Sequence, residues 1–224
     1  MQTNSVFTRT SSSGKLLSPA VYNLMIGLTL LWGFLANFWI IGGIPVESLL
    51  PYFWPLQVGN FVCALIGIFI FNRSDNPAIS FLGYNLVVLP FGLGLNLIIN
   101  FFLSDPKFDG LVLEAVQTTG FVTLVMMMLG SMFPRFFQKI SGALFWSFMA
   151  VILVEWIGWL VFQWHHGAID WIVAIIICGY IGYDWGRANA IPKTLDNAID
   201  SAAALYMDII ILFQRIMFIM ARRR

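Results

Sequence analysis

Seven long runs of apolar residues divide this chain, and they restrict it to one kind of fold. A helix needs about 20 mostly apolar residues to cross the hydrocarbon core of a bilayer. Six runs meet this requirement clearly, and the last meets it although it contains charged residues. The predicted spans are residues 20–41, 50–72, 78–103, 111–133, 141–162, 168–185 and a last span that begins near Pro192 or Asp196 and reaches Ala221.

The composition excludes an ordinary soluble domain. Of the 224 residues, 59% are hydrophobic and 10% are charged, whereas soluble domains carry about 25% charged residues. We therefore predict an all-α, polytopic membrane protein with seven transmembrane helices. Residues 1–18 are expected to form a cytoplasmic polar tail, and residues 19–224 a single membrane domain. The short connections leave no room for an extramembrane active site.

Nothing in the sequence indicates a cofactor, a metal site or a nucleic-acid partner. The formal net charge is +1, and no basic cluster precedes the last few residues. Cys63 and Cys178 lie inside apolar runs, which argues against a disulfide framework or a cysteine metal site. His165 and His166 are adjacent and lack the spacing of metal ligands. The expected surroundings are the lipid bilayer.

The distribution of lysine and arginine among the short connections predicts the orientation of the chain, because cytoplasmic loops carry an excess of these residues. With the amino terminus inside, Lys107 is the one lysine or arginine in the outer loops. The inner segments contain seven such residues, Arg9, Lys15, Arg73, Arg135, Lys139, Arg187 and Lys193. Seven crossings would place Arg222, Arg223 and Arg224 outside, against the rule. Either packing holds the last helix despite this bias, or the helix is re-entrant and the tail returns to the cytoplasm.

Asp208 is a carboxylate within the last apolar run. A charge at bilayer depth costs at least about 2.5 kcal/mol and usually faces the bundle interior or a water-filled path. One helix face carries Asp200, Ala204, Asp208, Ile211 and Arg215. A lipid-exposed helix would not carry that stripe, so we predict that the last helix is central and wrapped by the other six. Asp208 marks a functional site, or it is a protonated acid hydrogen-bonded between helices.

Asp184 is the expected partner of Asp208. It lies at or just within the inner end of the sixth span, on the side where the last helix begins. Two carboxylates at hydrogen-bond distance cannot both ionise cheaply, so such a pair holds a shared proton. Loss of that proton creates repulsion in a low-dielectric setting, which can push two helices apart. The alternative is that Asp184 is an interfacial acid capped by Arg187.

Other charged residues are candidates for a cation path. The possible pore or vestibule residues are Glu155, Glu114 and Asp200. Acidic residues suit such a path because Ca²⁺ takes oxygen ligands. The possible charge partners of the acids are Arg73, Arg187 and Arg215. Asp170 is interpreted as a helix amino-terminal charge of the kind that the helix dipole favours.

Two segments carry a resemblance to a known family. LYMDIIILF (Leu205 to Phe213) and GYIGYD (Gly179 to Asp184) resemble the paired closing motifs of the Bax inhibitor family, also called the transmembrane Bax inhibitor motif family. TRTSSSGKLL before the first span resembles the amino-terminal tails of the bacterial members, and AVQTTGFVTLVMMMLG (Ala115 to Gly130) resembles the fourth helix of the family. The likeness extends over all seven spans, and in the first three it consists of the hydrophobic pattern.

The resemblance implies seven helices with the last one enclosed by the other six. It also implies a pH-sensitive calcium leak in a bacterial inner membrane, with Asp184 and Asp208 as the aspartate pair. In that mechanism the protonated pair keeps the pore shut and deprotonation admits cations. The chain departs from the family at Ile211, where an asparagine is common, and at Trp185 and Gly186, where polar residues are common.

Two other functions remain open. The first is a non-transporting subunit that binds and regulates a membrane protease or another integral membrane complex, as some bacterial relatives are thought to do. The second is an intramembrane aspartyl protease, for which GYIGYD supplies a YD motif without the second acid of a GxGD motif. The missing acid argues against this enzyme, and we predict that the protein is not an enzyme.

Overall fold

The computed structural model describes residues 15–158, 161 and 167–224. Residues 1–14 of the predicted polar tail, the predicted end of the fifth span at residue 162, and the pair His165 and His166 lie outside the described residues. Within the described residues the chain is mostly helical and contains no strand. The prediction of an all-α fold is therefore confirmed.

Eight α-helices make up the described chain. They are α1 (Pro19–Gly43), α2 (Val46–Leu49), α3 (Phe53–Arg73), α4 (Pro77–Leu103), α5 (Leu111–Met132), α6 (Pro134–Ile157), α7 (Gly167–Ala190) and α8 (Leu195–Ala221). A 3₁₀ turn joins α2 to α3, so that these two helices form one apolar span, Val46–Phe71. In the part of the chain that the structure describes, seven helical segments are long and apolar enough to cross a membrane, in agreement with the seven predicted spans.

Two helices extend beyond the predicted span boundaries. α6 begins at Pro134 rather than Ser141, and α7 continues to Ala190 rather than ending at Trp185. Both differences arise because an apolar run shows only which residues can lie in the hydrocarbon core. A helix extends further, as long as its backbone hydrogen bonds continue. Long basic side chains can reach water while their stems stay on the helix. As a result, α7 continues for six residues beyond Asp184.

The helices differ in how much of their surface is buried. In the most apolar window of α8, 56% of the residues are buried, and the same is true of α7, whereas the corresponding value for α6 is 0%. A helix whose apolar stretch contains no buried residue exposes its apolar side chains to lipid. A helix whose apolar stretch is mostly buried is covered by other helices. The interior position predicted for the last helix agrees with this pattern.

The chain forms two compact units, of which the first contains Met1–Asp105 and Ala190–Tyr206. In this unit α3 and α4 pack backbone against backbone, since a Cβ atom at Gly83 would lie 2.9 Å from the carbonyl oxygen of Gly67. The first part of α8 is held by polar contacts, among which the Ser80 hydroxyl donates to the Asp196 carboxylate over 2.6 Å. The backbone N–H of Leu17 donates to the carbonyl of Lys193 over 2.8 Å, which fixes the segment before α1 to the α7–α8 connection.

The second unit contains Pro106–Asn189 and Met207–Arg224. In this unit α5 and α7 approach closely at Gly130 and Gly182, where a Cβ atom on Gly130 would collide with the Gly182 carbonyl oxygen. Small residues allow such close contact between membrane helices. The unit also includes the remainder of α8, which is therefore one continuous helix shared between the two units.

The structure favours a full crossing by α8 over a re-entrant helix. It contains 27 residues without interruption, which at about 1.5 Å per residue exceeds the thickness of the hydrocarbon core. At its end, Arg222 contacts Asp170, and Arg224 contacts Glu114 and the backbone carbonyl of Asp109. These acids belong to the predicted outer connections. Their charges compensate the arginines that violate the orientation rule.

Substitution of Gly130 by alanine is expected to destabilise the second unit, because the added methyl group meets the Gly182 backbone and forces α5 and α7 apart. Overpacking of this kind costs about 1–3 kcal/mol, so the midpoint of thermal unfolding in detergent should fall by several degrees. Gly120→Ala on the same helix is the matched control, since no atom lies within 4 Å of its added Cβ. Equal effects of the two substitutions would contradict the close contact.

Seven crossings place the two ends of the chain on opposite sides of the membrane. Short epitope tags at the amino and carboxyl termini, probed in intact and in permeabilised cells, measure this directly. One tag should be accessible in intact cells and the other only after permeabilisation. Access to both tags from the same side would mean that α8 turns back within the membrane.

Candidate functional site

The carboxyl groups of Asp184 on α7 and Asp208 on α8 lie close enough for a hydrogen bond between their side chains. Asp208 has 7% of its surface exposed. A carboxylate can only accept hydrogen bonds, so a bond between two carboxyl groups requires a proton on one of them. The two aspartates thus lie together in the arrangement that can hold one shared proton.

Packing between α5 and α7 fixes the rotation of α7 around Asp184. Gly182 and Gly186 both lie against α5, where a Cβ atom on Gly186 would be 3.2 Å from the Gly130 carbonyl oxygen. The indole N–H of Trp185 donates to the Ser131 hydroxyl over 2.7 Å. Trp185, which stands where the family commonly has a polar residue, therefore contacts α5.

Two other side chains of α7 act on the aspartate pair. Arg187 interacts electrostatically with Asp184, and its Nε atom is buried without a hydrogen-bond partner among the described residues. Tyr180, one turn before Asp184, lies within electrostatic range of both carboxyl groups. Since a nearby cation favours the charged form of an acid, Arg187 stabilises the single negative charge of the pair.

Asp208 also has an oxygen that no protein group satisfies. Its Oδ2 atom is buried and has no hydrogen-bond partner among the described residues. An unsatisfied carboxyl oxygen in a membrane interior is costly, and such atoms usually face a ligand, an ion or water. Oδ2 has no N–H or O–H donor among the described residues, which leaves it available to the carboxyl group of Asp184.

A second charged cluster lies farther along α8. Arg215 forms two parallel bonds to Glu155 on α6, with Nη1–Oε1 at 2.6 Å and Nη2–Oε2 at 2.8 Å, and its Nη1 also donates to Asp170 Oδ1 over 2.9 Å. The Asp170 side chain is completely buried, and its other oxygen lies 3.1 Å from Arg222. We call Arg215, Glu155, Asp170 and Arg222 the arginine cluster. Its formal charges sum to zero.

The predicted vestibule residues are distributed between different partners. Glu155 is held by Arg215, whereas Glu114 pairs with Arg224 at a distance of 2.7 Å and is 54% exposed. Both carboxylates are neutralised by arginines in this conformation. Their role in a cation path remains a prediction.

Three further predicted residues have different surroundings. Arg215, predicted as a possible charge partner, pairs with Glu155 and Asp170. Asp200 is 6% exposed in the part of α8 that belongs to the first unit. Arg73 ends α3 in the same unit, with its guanidinium 4.4 Å from the centre of the Phe69 ring. The proposed roles of Asp200 and Arg73 are not tested by these contacts.

The surroundings of Asp170 go beyond the sequence interpretation. Asp170 was interpreted as a charge near a helix amino terminus, and it lies in the first turn of α7. The structure shows in addition a completely buried carboxylate bound by Arg215 and Arg222. An acid next to an apolar run indicates that it needs a partner, but the sequence does not show which basic residues supply it.

Among the described residues, no three His, Cys, Asp or Glu side chains come together in a way that could hold a metal ion. No curated protein matches the chain. A family model described as inhibitor of apoptosis-promoting Bax1 matches residues 16–224, which include all seven spans and both members of the aspartate pair. The chain therefore belongs to the Bax inhibitor family, a channel-like family of multi-pass membrane proteins.

Proposed function

We propose that this protein is a pH-gated leak channel for calcium or other cations, in which the Asp184–Asp208 pair is both the pH sensor and the gate. We place it in the inner membrane of a bacterium with its amino terminus in the cytoplasm, since the predicted inner connections hold most of the lysine and arginine. The observation that carries the proposal is the close approach of the two carboxyl groups. Family membership supports it.

The gate works through the proton that the two carboxyl groups share. With the proton present, the hydrogen bond holds α7 against α8 and the pair carries a single negative charge. When the proton leaves, two negative charges face each other across a hydrogen-bond distance. Two unit charges 4 Å apart repel by about 4 kcal/mol at an effective dielectric constant near 20. That repulsion is sufficient to favour a conformation in which the two helices separate.

Separation also prepares the path for a cation. Two deprotonated carboxylates offer oxygen ligands of the type that Ca²⁺ prefers, and no N–H or O–H donor of the described residues contacts Asp208 Oδ2. A passing cation thus replaces the proton as the charge that holds the pair together. Passage requires that such binding be weak enough for release.

The direction of the pH dependence follows from this mechanism. The closed state holds one more proton than the open state, so a lower pH favours closure and a higher pH favours opening. Calcium flux into liposomes that contain the purified protein should be low in acid and should increase as the pH is raised. An indicator dye trapped inside the liposomes measures it.

Asp208→Asn is expected to abolish the pH response. The amide can still hydrogen-bond to Asp184 but cannot ionise, so flux should remain at its acid level at every pH. Glu47→Gln is the matched control, because Glu47 is an exposed acid in α2 and should leave the parent profile unchanged. A parent-like pH profile in Asp208→Asn would contradict the assignment of the gate.

A second candidate function is a non-transporting subunit that binds and regulates a membrane protease or another integral membrane complex. The observation that favours it is the apolar character of α8 beyond the pair, where Ile211 and Leu212 precede Arg215. Absence of flux at every pH in the parent protein, together with a partner that co-purifies in defined stoichiometry, would support this function over the channel.

A further inference from the structure

We propose that Arg215 is a positively charged plug that excludes cations from the carboxyl-terminal half of α8, and that Glu155 and Asp170 hold it in place. This inference rests on the proposed function, because it assigns a second closure to the same path. It places that closure in series with the aspartate pair.

The position of Arg215 on α8 is the first argument. Arg215 follows Asp208 by seven residues, which is close to two helical turns, so both side chains leave the same face of the helix about 10 Å apart. Ile211 lies between them on that face and is partly exposed. A cation that leaves Asp208 along this face therefore meets the guanidinium of Arg215 next.

The rigidity of the contact is the second argument. A guanidinium forms its best-defined pairs through two parallel bonds, and Arg215 makes such a pair with Glu155 and a third bond to Asp170. The Asp170 carboxylate is completely buried. Removal of one partner from a buried ion pair leaves the other charge without compensation, so the three side chains hold one another in a single arrangement.

Electrostatics gives the third argument. Arg215 is the member of the arginine cluster that stands on the same helix as Asp208, and its acidic partners Glu155 and Asp170 lie on α6 and α7. A fixed arginine beside a narrow path is a barrier to cations and is less of a barrier to anions. Opening of the path requires Arg215 to leave Glu155 and Asp170. Both carboxylates would then be free to contact a passing cation.

The experiment measures access to a thiol placed between the two closures. The substitution Ile211→Cys is introduced in a background in which Cys63 and Cys178 are replaced by alanine. Proteoliposomes are treated from the carboxyl-terminal side with two thiosulfonate reagents of similar size, one positively and one negatively charged. The rate at which the introduced thiol is modified reports access directly and does not require that calcium be transported.

With Arg215 present, the cationic reagent should react more slowly than the anionic one. Arg215→Met should increase the rate of the cationic reagent by about tenfold, as expected for loss of a fixed charge from a barrier, and should reverse the preference. Glu155→Gln, which preserves the charge of Arg215 but removes its bidentate partner, should increase both rates. Arg224→Gln is the matched control, since it breaks an ion pair on the same side with an exposed acid and should change neither rate.

The outcomes separate this inference from the proposed function. An equal increase for both reagents in Arg215→Met would show loosened packing and would overturn the charged plug, and so would unchanged rates. If Arg215→Met does not fold, unchanged rates in Glu155→Gln overturn the plug on their own. A charge-selective increase in access, in a protein that shows no calcium flux at any pH, would retain the plug and refute the channel.

Discussion

The bilayer offers no water to a buried charge, and the arrangement of α8 depends on this constraint. Each ionisable group on this helix has to find its partner on another helix. Asp208 lies next to Asp184 on α7. Arg215 forms ion pairs with Glu155 on α6 and Asp170 on α7. These contacts fix the rotation of α8 in the second unit, because a change of face would leave several charges without compensation.

The two sets of contacts differ in how they depend on solution conditions. A hydrogen bond between two carboxyl groups requires one proton, so the proposed contact between Asp184 and Asp208 depends on pH. The bonds of Arg215 join opposite charges and persist without a proton. In the proposed channel the first contact therefore responds to pH, whereas the second opposes cations until its side chains move. A channel with these two closures remains shut when either one is intact.

The sequence predicted the architecture well, because seven apolar runs leave little freedom to a chain in a bilayer. It also indicated that Asp184 could approach Asp208, since a lone acid at membrane depth requires a partner and only a few positions can reach it. The role of the two acids as a pH-sensing pair stays a prediction. The pairing of Arg215 with Asp170 could not be predicted in the same way. Asp170 lies 45 residues earlier in the chain, and which side chains meet depends on the tilt and rotation of the helices.

Helix boundaries were the least accurate part of the prediction for a related reason. Hydropathy locates the membrane, and it cannot show that α6 already begins at Pro134 or that α7 continues to Ala190. The close approach of α5 to α7 could not be predicted from the sequence either, since nothing distinguishes Gly130 and Gly182 from other glycines in an apolar run. Their importance is visible only when the two backbones are seen in contact.

The central claim is that Asp184 and Asp208 share one proton, and infrared difference spectroscopy of the protein in lipid tests it most directly. A protonated carboxyl group absorbs separately from a carboxylate, so the loss of the proton can be observed while the pH is raised. We predict one carboxylic acid band that disappears as the pH rises and that is altered in both Asp184→Asn and Asp208→Asn. A spectrum with no such band in acid, or with a band that neither substitution changes, would contradict the shared proton.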